Sequence, residues 1–234
     1  MLVLLRAVCR QLTVVIQQAE AMQKIYDPHL HFFDLSKGKY NWLKAKNPPF
    51  WPDKNLIAKN FMPRQLILNS HFTLDGGVHI EAGFDNELPQ NEVRWLEKDV
   101  YTIEPKFNFK SIASSNIGMS HDLFVKTIDL LEFYKTFVGI RCIIEEDEGL
   151  IDKNENILKN VKFLERAGIL LEIQFDLCCN EKTRSVLTIL KEAPNVTVII
   201  NHAGYPPISH VPDQKNAIHS SENSKDTKNH MDVW

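Results

Sequence analysis

Along this chain, short apolar runs rich in β-branched and aromatic residues alternate with longer stretches whose apolar positions recur at helical spacing. The runs at 24–28, 77–82, 106–112, 138–144, 170–175 and 197–201 read as strands. Helices are expected between them at 60–69, 86–100, 120–135, 154–167 and 181–193. The pattern at 154–167 is the clearest: Ile157, Val161 and Leu164 recur at helical spacing, and Gly168 stands where a helix C-cap belongs. In KEAPNVTVII, Pro194 ends a helix before a buried strand.

Strands that alternate with helices imply parallel pairing and right-handed crossovers. Six such units suit a (β/α) barrel or a doubly wound sheet. In LLEIQFD, Leu171, Ile173 and Phe175 share one face, and Glu172, Gln174 and Asp176 share the other. In VHIEA, Val78, Ile80 and Ala82 oppose His79 and Glu81. Central strands of a doubly wound sheet are apolar on both faces. A polar inner face near the strand C-termini suits a barrel with a site at that mouth. The expected fold class is therefore α/β, a TIM-type (β/α) barrel over 23–207 with about six of its eight strands. Opened after strand six, it would expose two strand edges.

Both ends of the chain break the pattern. Residues 1–22 read as an amphipathic N-terminal extension: Arg6 and Arg10 interrupt the apolar MLVLLRAVCRQLTVVI, so it is neither a membrane span nor a signal peptide. Residues 208–234 are charged and small polar, with no sustained apolar period, and are expected to form a disordered tail. With 44% hydrophobic residues and a net charge of −3, the chain can bury a sizeable core. Nothing in that balance favours nucleic acid or a membrane surface. Cys9, Cys142, Cys178 and Cys179 lack metal-type spacing and read as reduced thiols of a cytoplasmic protein. The acid-poor, Arg-bearing start leaves a mitochondrial transit peptide as the alternative.

The candidate chemistry sits at strand ends. In IYDPHLHFFD, His29 and His31 are two apart and project from one face of an extended chain, where two imidazoles can share a divalent ion. Pro28 removes a ladder donor, as in a strand about to leave its sheet. Phe32 and Phe33 offer the alternative that this stretch only packs. Glu81 ends the second strand and reads as a third ligand, an acid/base group, or a solvated carboxylate. His79 reads as a packed, hydrogen-bonded core residue. His202 closes the sixth strand in VTVIINHAGYP. Arg141 interrupts the apolar FVGIRCII, and burying it requires an anion, either a substrate carboxylate or an internal acid such as Glu172. Gln174 and Asp176 are inner-face polar residues without an assigned role. His71, His121, His210, His219 and His230 read as surface or tail residues. No G-x-S-x-G elbow, P-loop or G-x-G-x-x-G cradle is present.

Taken in order, YDPHLHFFDLSKGKYNWL, GGVHIEAGFDNELPQNEVRWLE, FVGIRCII and VTVIINHAGYP resemble the amidohydrolase superfamily over about 25–207. The resemblance is narrower to its amidohydrolase-related, lactonase-like branch. It implies a TIM-type barrel that hydrolyses a lactone, or a related ester or amide bond, in a small carboxylate- or sugar-derived substrate. It implies that His29, His31 and His202 are catalytic and that these three with Glu81 bind a divalent metal, zinc or manganese. In metal-free members the histidines polarise the carbonyl directly, and a protonated pair would stabilise the charge that water attack builds there. Arg141 matches a position that grips a substrate carboxylate. The family takes its general base from an aspartate ending strand eight. Here Asp213, Asp226 and Asp232 stand in the polar tail with no strand before them. Two rivals follow: a decarboxylase on the same barrel, and a catalytically inactive truncated isoform. The sequence leaves the oligomeric state open.

Overall fold

The computed structural model describes residues 23–50, 52–66, 72–102, 107–144 and 154–205. The expected extension at 1–22 and tail at 208–234 lie outside the described residues. Six strands are present: β1 (Gln23–Leu30), β2 (Phe72–Ile80), β3 (Asn108–Ser114), β4 (Phe137–Ile143), β5 (Leu170–Gln174) and β6 (Val198–Ile200). They form one parallel sheet in sequence order. Each crossover steps to the adjacent strand, and no reversal of order occurs among the described strands. A doubly wound sheet would reverse at a switch point. The sheet is the open arc of an α/β TIM-type barrel.

The helices are α1 (Lys54–Ile57), α2 (Gln90–Trp95), α3 (His121–Glu132), α4 (Glu155–Ala167) and α5 (Asn180–Glu192). α2 passes directly into a π-helical turn, Leu96–Val100. α4 is bounded as its sequence predicts. The Asn154 side chain accepts a hydrogen bond from the backbone N–H of Asn156, and Gly168 takes a left-handed conformation, φ 68°, that only glycine adopts without strain. Two expected helices differ. Of the stretch at 60–69, the described residues 60–66 hold a 3-10 turn, Pro63–Leu66, and 67–71 lie outside the described residues; a proline ring suits a helix start, so nothing before Pro63 is drawn into the turn. The helix expected from 86 begins at Gln90, after a turn that ends at Pro89.

Strand lengths also depart from the expected bounds. β2 begins five residues before the expected start at Gly77 and carries both Gly76 and Gly77 inside it. A Cβ at Gly76 would stand 2.3 Å from the carbonyl oxygen of Asn108, and one at Gly77 would stand 2.7 Å from that of Asp27. Close approach of three strands, not a turn, is what these glycines serve. β1 continues past Pro28 to Leu30, with a register irregularity between Asp27 and Leu30 that absorbs the missing proline donor. β6 is short, and the chain turns at Asn201.

The apolar face of the sheet meets the helix layer. Ile140, Leu171 and Ile173 pack on Phe124, Ile128, Val161, Leu164 and Ile189. A second, aromatic cluster of Phe32, Phe33, Tyr40, Phe84 and Trp95 fills the space around the ends of β1 and β2. Among the described residues, no helix is long and apolar enough to cross a membrane.

Candidate active site

His29 and His31 flank Leu30, so their side chains leave β1 on the face opposite the helix layer. Their Nε2 atoms lie 3.1 Å apart. His31 Nδ1 is 2.9 Å from the carbonyl oxygen of Ile80, and a carbonyl only accepts, so Nδ1 carries the His31 proton. The His31 Nε2 lone pair therefore accepts from Nε2–H of His29. Burial, with Arg141 and His202 beside it, lowers the His29 pKa to about 4. Burial first, then its histidine neighbours, holds His31 well below its ordinary value. Near neutral pH both rings are neutral. A protonated pair, one of the two expected ways of stabilising the substrate oxygen, is thus not the resting state: desolvation and the nearby guanidinium both oppose the charge. Phe32 and Phe33 are buried beneath, so the stretch both packs and presents its histidines.

His202 lies beyond β6, with its ring centroid 5.6 Å from that of His29. Burial and Arg141 lower its pKa as well. Its backbone is left-handed, φ 49°, as are Ala203 and Tyr205, and its N–H donates to Asn201 Oδ1 at 2.8 Å. Non-glycine residues held there store strain, which suits a position where the ring must be aimed rather than relaxed.

Arg141 sits beneath the histidines among internal acids. Its Nη1 is 3.5 Å from Glu81 Oε1, its Nε is 3.4 Å from Glu172 Oε1, and its Nη2 donates to Gln174 Oε1. Arg141 and Glu172 are register partners across β4 and β5, which places the two side chains together. Gln174 Oε1 also accepts from Asn201 Nδ2 at 3.2 Å, linking the cluster to the His202 turn. Burial raises Glu81 to about 7, against the pull of Arg141, and raises Glu172 in the same way. Glu81 Oε2 accepts from the Gly83 N–H at 3.1 Å. The 3.4 Å contact leaves Arg141 Nε and Glu172 Oε1 without a hydrogen-bond partner. The guanidinium is held closely by Gln174 and only loosely by the two acids.

The other expected residues fall elsewhere. His79 is fully buried, as a packed core histidine should be, but it turns toward the helix layer instead of lying on the site face beneath Glu81. Its Nε2 donates to Glu92 Oε1 at 3.0 Å, and its Nδ1 accepts from the Phe32 N–H at 3.1 Å. Asp176 is exposed and accepts from the Cys178 N–H, so it shapes a turn. His121, expected at the surface, is half-buried against Asn160, with Nδ1 2.8 Å from Oδ1. His71, His210, His219 and His230 lie outside the described residues, as do Asp213, Asp226 and Asp232. The sequence reading missed Glu92 and Asn201. Glu92 shares a helical stripe with Trp95, Leu96 and Val100, all buried, and an acid in such a stripe needs a partner.

Zinc holds imidazole nitrogens at about 2.0–2.1 Å, so two nitrogens as close as the Nε2 atoms of His29 and His31 fit two positions of one ion. His31 already presents its lone pair, and the Ile80 carbonyl holds that tautomer as an outer partner of a ligand does. Among the described residues, no three His, Cys, Asp or Glu side chains are gathered to hold an ion: Glu81 is turned to Arg141 and Gly83. The histidine pair fits a divalent metal; Glu81 and His202 are not drawn in with it.

No family model matches the chain. An arc of this topology recurs in solved structures. An amidohydrolase 2 from Bifidobacterium longum subsp. infantis superposes with a TM-score of 0.53 at 18% identity, covering 78% of this chain and 62% of its own. The chain shares the barrel-type fold of this protein. A probable 2-pyrone-4,6-dicarboxylic acid hydrolase from Acinetobacter baumannii, solved with citric acid bound, gives a TM-score of 0.52 at 17% identity, with 76% and 58% covered. By sequence, the uncharacterized protein y4mH of Sinorhizobium fredii is 24% identical, over 77% of this chain and 62% of its own length. The chain thus spans about three fifths of these amidohydrolase-fold proteins and of this relative.

Proposed function

We propose that this chain carries the carbonyl-activating part of a hydrolase that opens a lactone, or cleaves a related ester or amide, in a small carboxylate- or sugar-derived substrate. The observation that carries the reading is the convergence of neutral His29 and His31 at the strand ends with Arg141 beneath them. The amidohydrolase-type fold supports it, as does the tricarboxylate found in the Acinetobacter structure.

The chemistry follows from charge. A substrate carboxylate drawn to Arg141 would be held at the foot of the site, beside Gln174 and Asn201, leaving its carbonyl near the histidine pair. Water attack builds negative charge on the carbonyl oxygen. A divalent ion on His29 and His31 would supply Lewis-acid stabilisation there. Where no ion is bound, His29 instead offers its Nε2–H, which can turn from His31 to the oxygen. His202, kept neutral by burial, can take the proton from water.

The test is to incubate the full chain, with and without zinc or manganese, with a panel of carboxylate-bearing lactones and to identify the product. Ring-opened acid is expected, with turnover falling about 10²-fold or more in His29→Ala and His31→Ala. Full activity in both variants would sink the assignment. Release of carbon dioxide instead would favour a lyase on this fold, and no turnover of any lactone would favour an inactive isoform.

A further inference from the structure

One buried acid with two hydrogen-bond donors lies outside the group of residues just described. Glu92, on the first turn of α2, is 2% exposed, and its Oε1 accepts two hydrogen bonds: from His79 Nε2–H at 3.0 Å and from the backbone N–H of Ala82 at 2.8 Å. His79, itself 0% exposed, passes the contact on. Its Nδ1 accepts the Phe32 N–H at 3.1 Å, and its ring stacks on the Phe32 ring at 5.7 Å between centroids. Phe32 follows His31, and Ala82 follows Glu81. One carboxylate oxygen therefore holds the ends of both β1 and β2, at the points where the two strands stop pairing and release their site residues. Between these two fixed points, His31 Nδ1 finds the Ile80 carbonyl.

Each link has a defined direction. The Phe32 N–H can only donate, so His79 Nδ1 must accept and Nε2 must carry the proton toward Glu92. A buried carboxylate with two donors on one oxygen is a costly feature, kept only where its geometry is needed. Packing alone would be served by an apolar residue in this helical stripe.

We infer that Glu92 is a positioning residue: acting through His79 and Ala82, it sets the distance between the β1 and β2 ends and so fixes the tautomer and aim of His31. The inference rests on the reading of His29 and His31 as the reacting pair, but its structural content is independent of substrate. Glutamine at 92 retains an acceptor oxygen for both donors, aspartate shortens the reach by one methylene, and alanine removes the acceptor.

The experiment is a set of long-range proton–nitrogen spectra of the imidazoles in the full chain, without metal or substrate, alongside thermal unfolding. In the unsubstituted protein, His31 should show one protonated nitrogen, Nδ1, and His79 one, Nε2. Glu92→Gln should preserve both patterns. In Glu92→Ala, the two His31 nitrogens should move together in shift as tautomers average, with unfolding still cooperative. Glu92→Asp should move the same shifts partway, which keeps the test alive if the alanine variant does not fold. An unchanged His31 pattern in Glu92→Asp or in folded Glu92→Ala would overturn the inference, as would its loss in Glu92→Gln. Because no substrate is used, failure of lactone turnover leaves this result standing, and the reverse also holds.

Discussion

Glu81 and His29 lie at neighbouring strand ends, yet burial moves them in opposite directions on the pH scale. Desolvation penalises whichever form is charged, so the acid rises to about 7 and the imidazole falls to about 4. Folded Glu81 holds a proton that the unfolded chain has lost, so its stabilising contribution is complete below about pH 4.5 and disappears as pH rises through 7. Folded His29 refuses a proton that the unfolded chain accepts, so its contribution is complete above about pH 6.5 and is lost as pH falls toward 4. Between these limits the two slopes oppose each other, each at up to about 1.4 kcal/mol per pH unit for a whole proton. Glu81→Gln removes the first slope and leaves the second. Urea unfolding of that variant across pH 4–7.5 should show stability climbing more steeply with pH up to about 6.5, with no compensating decline toward 7. Equal slopes in the two proteins would mean that the carboxyl ionises normally in the fold. At this scale the sequence marked the polar residues that stand at strand ends, His29, His31 and His202, and the arginine inside an apolar strand, Arg141. It marked His79 as a packed, hydrogen-bonded core residue but was silent on its partner Glu92, since their bond joins a helix to a strand and no local period encodes it.

At the level of elements, α4 shows what the sequence could specify. Its apolar stripe of Ile157, Val161 and Leu164 is buried against the sheet, and Asn154 and Gly168 bound it where capping chemistry requires. Asn154 does more than cap: its Nδ2 also donates to the Gly118 carbonyl at 2.8 Å, tying the helix start to the loop after β3. Asn154→Ala removes both bonds. It should lower unfolding stability by about 1–2 kcal/mol, read from the urea midpoint at unchanged slope, and leave the histidine rings undisturbed. Elements were less legible where tertiary approach overrode local preference. The paired glycines of β2 resemble a breaker until Asn108 and Asp27 are seen crowding them. The stretch after Asn60 has helical composition, and its described part, up to Leu66, holds a 3-10 turn that starts at Pro63.

For the molecule as a whole, parallel pairing was readable from simple alternation, and the polar inner faces of the strands chose the sequential order of a barrel over a doubly wound sheet. The open arc has a further consequence. β1 and β6 each pair on one side only among the described strands, and both margins carry apolar residues at the surface. Ile25 and Tyr26 are exposed on β1, and Ile199 and Ile200 are nearly two-fifths exposed on β6. An unpaired, apolar margin offers its backbone to any other strand, and charged side chains are a usual defence against such pairing. β6 has none in Val198–Ile200. Self-association through this margin is the expected behaviour at high concentration. Ile200→Lys places a charge on the margin without touching the Arg141 cluster, so it should shift light-scattering profiles toward the smaller species, with the histidine spectra unchanged. If association persists undiminished, pairing at the β6 margin is not its cause, and the β1 margin at Ile25 and Tyr26 becomes the surface to charge next.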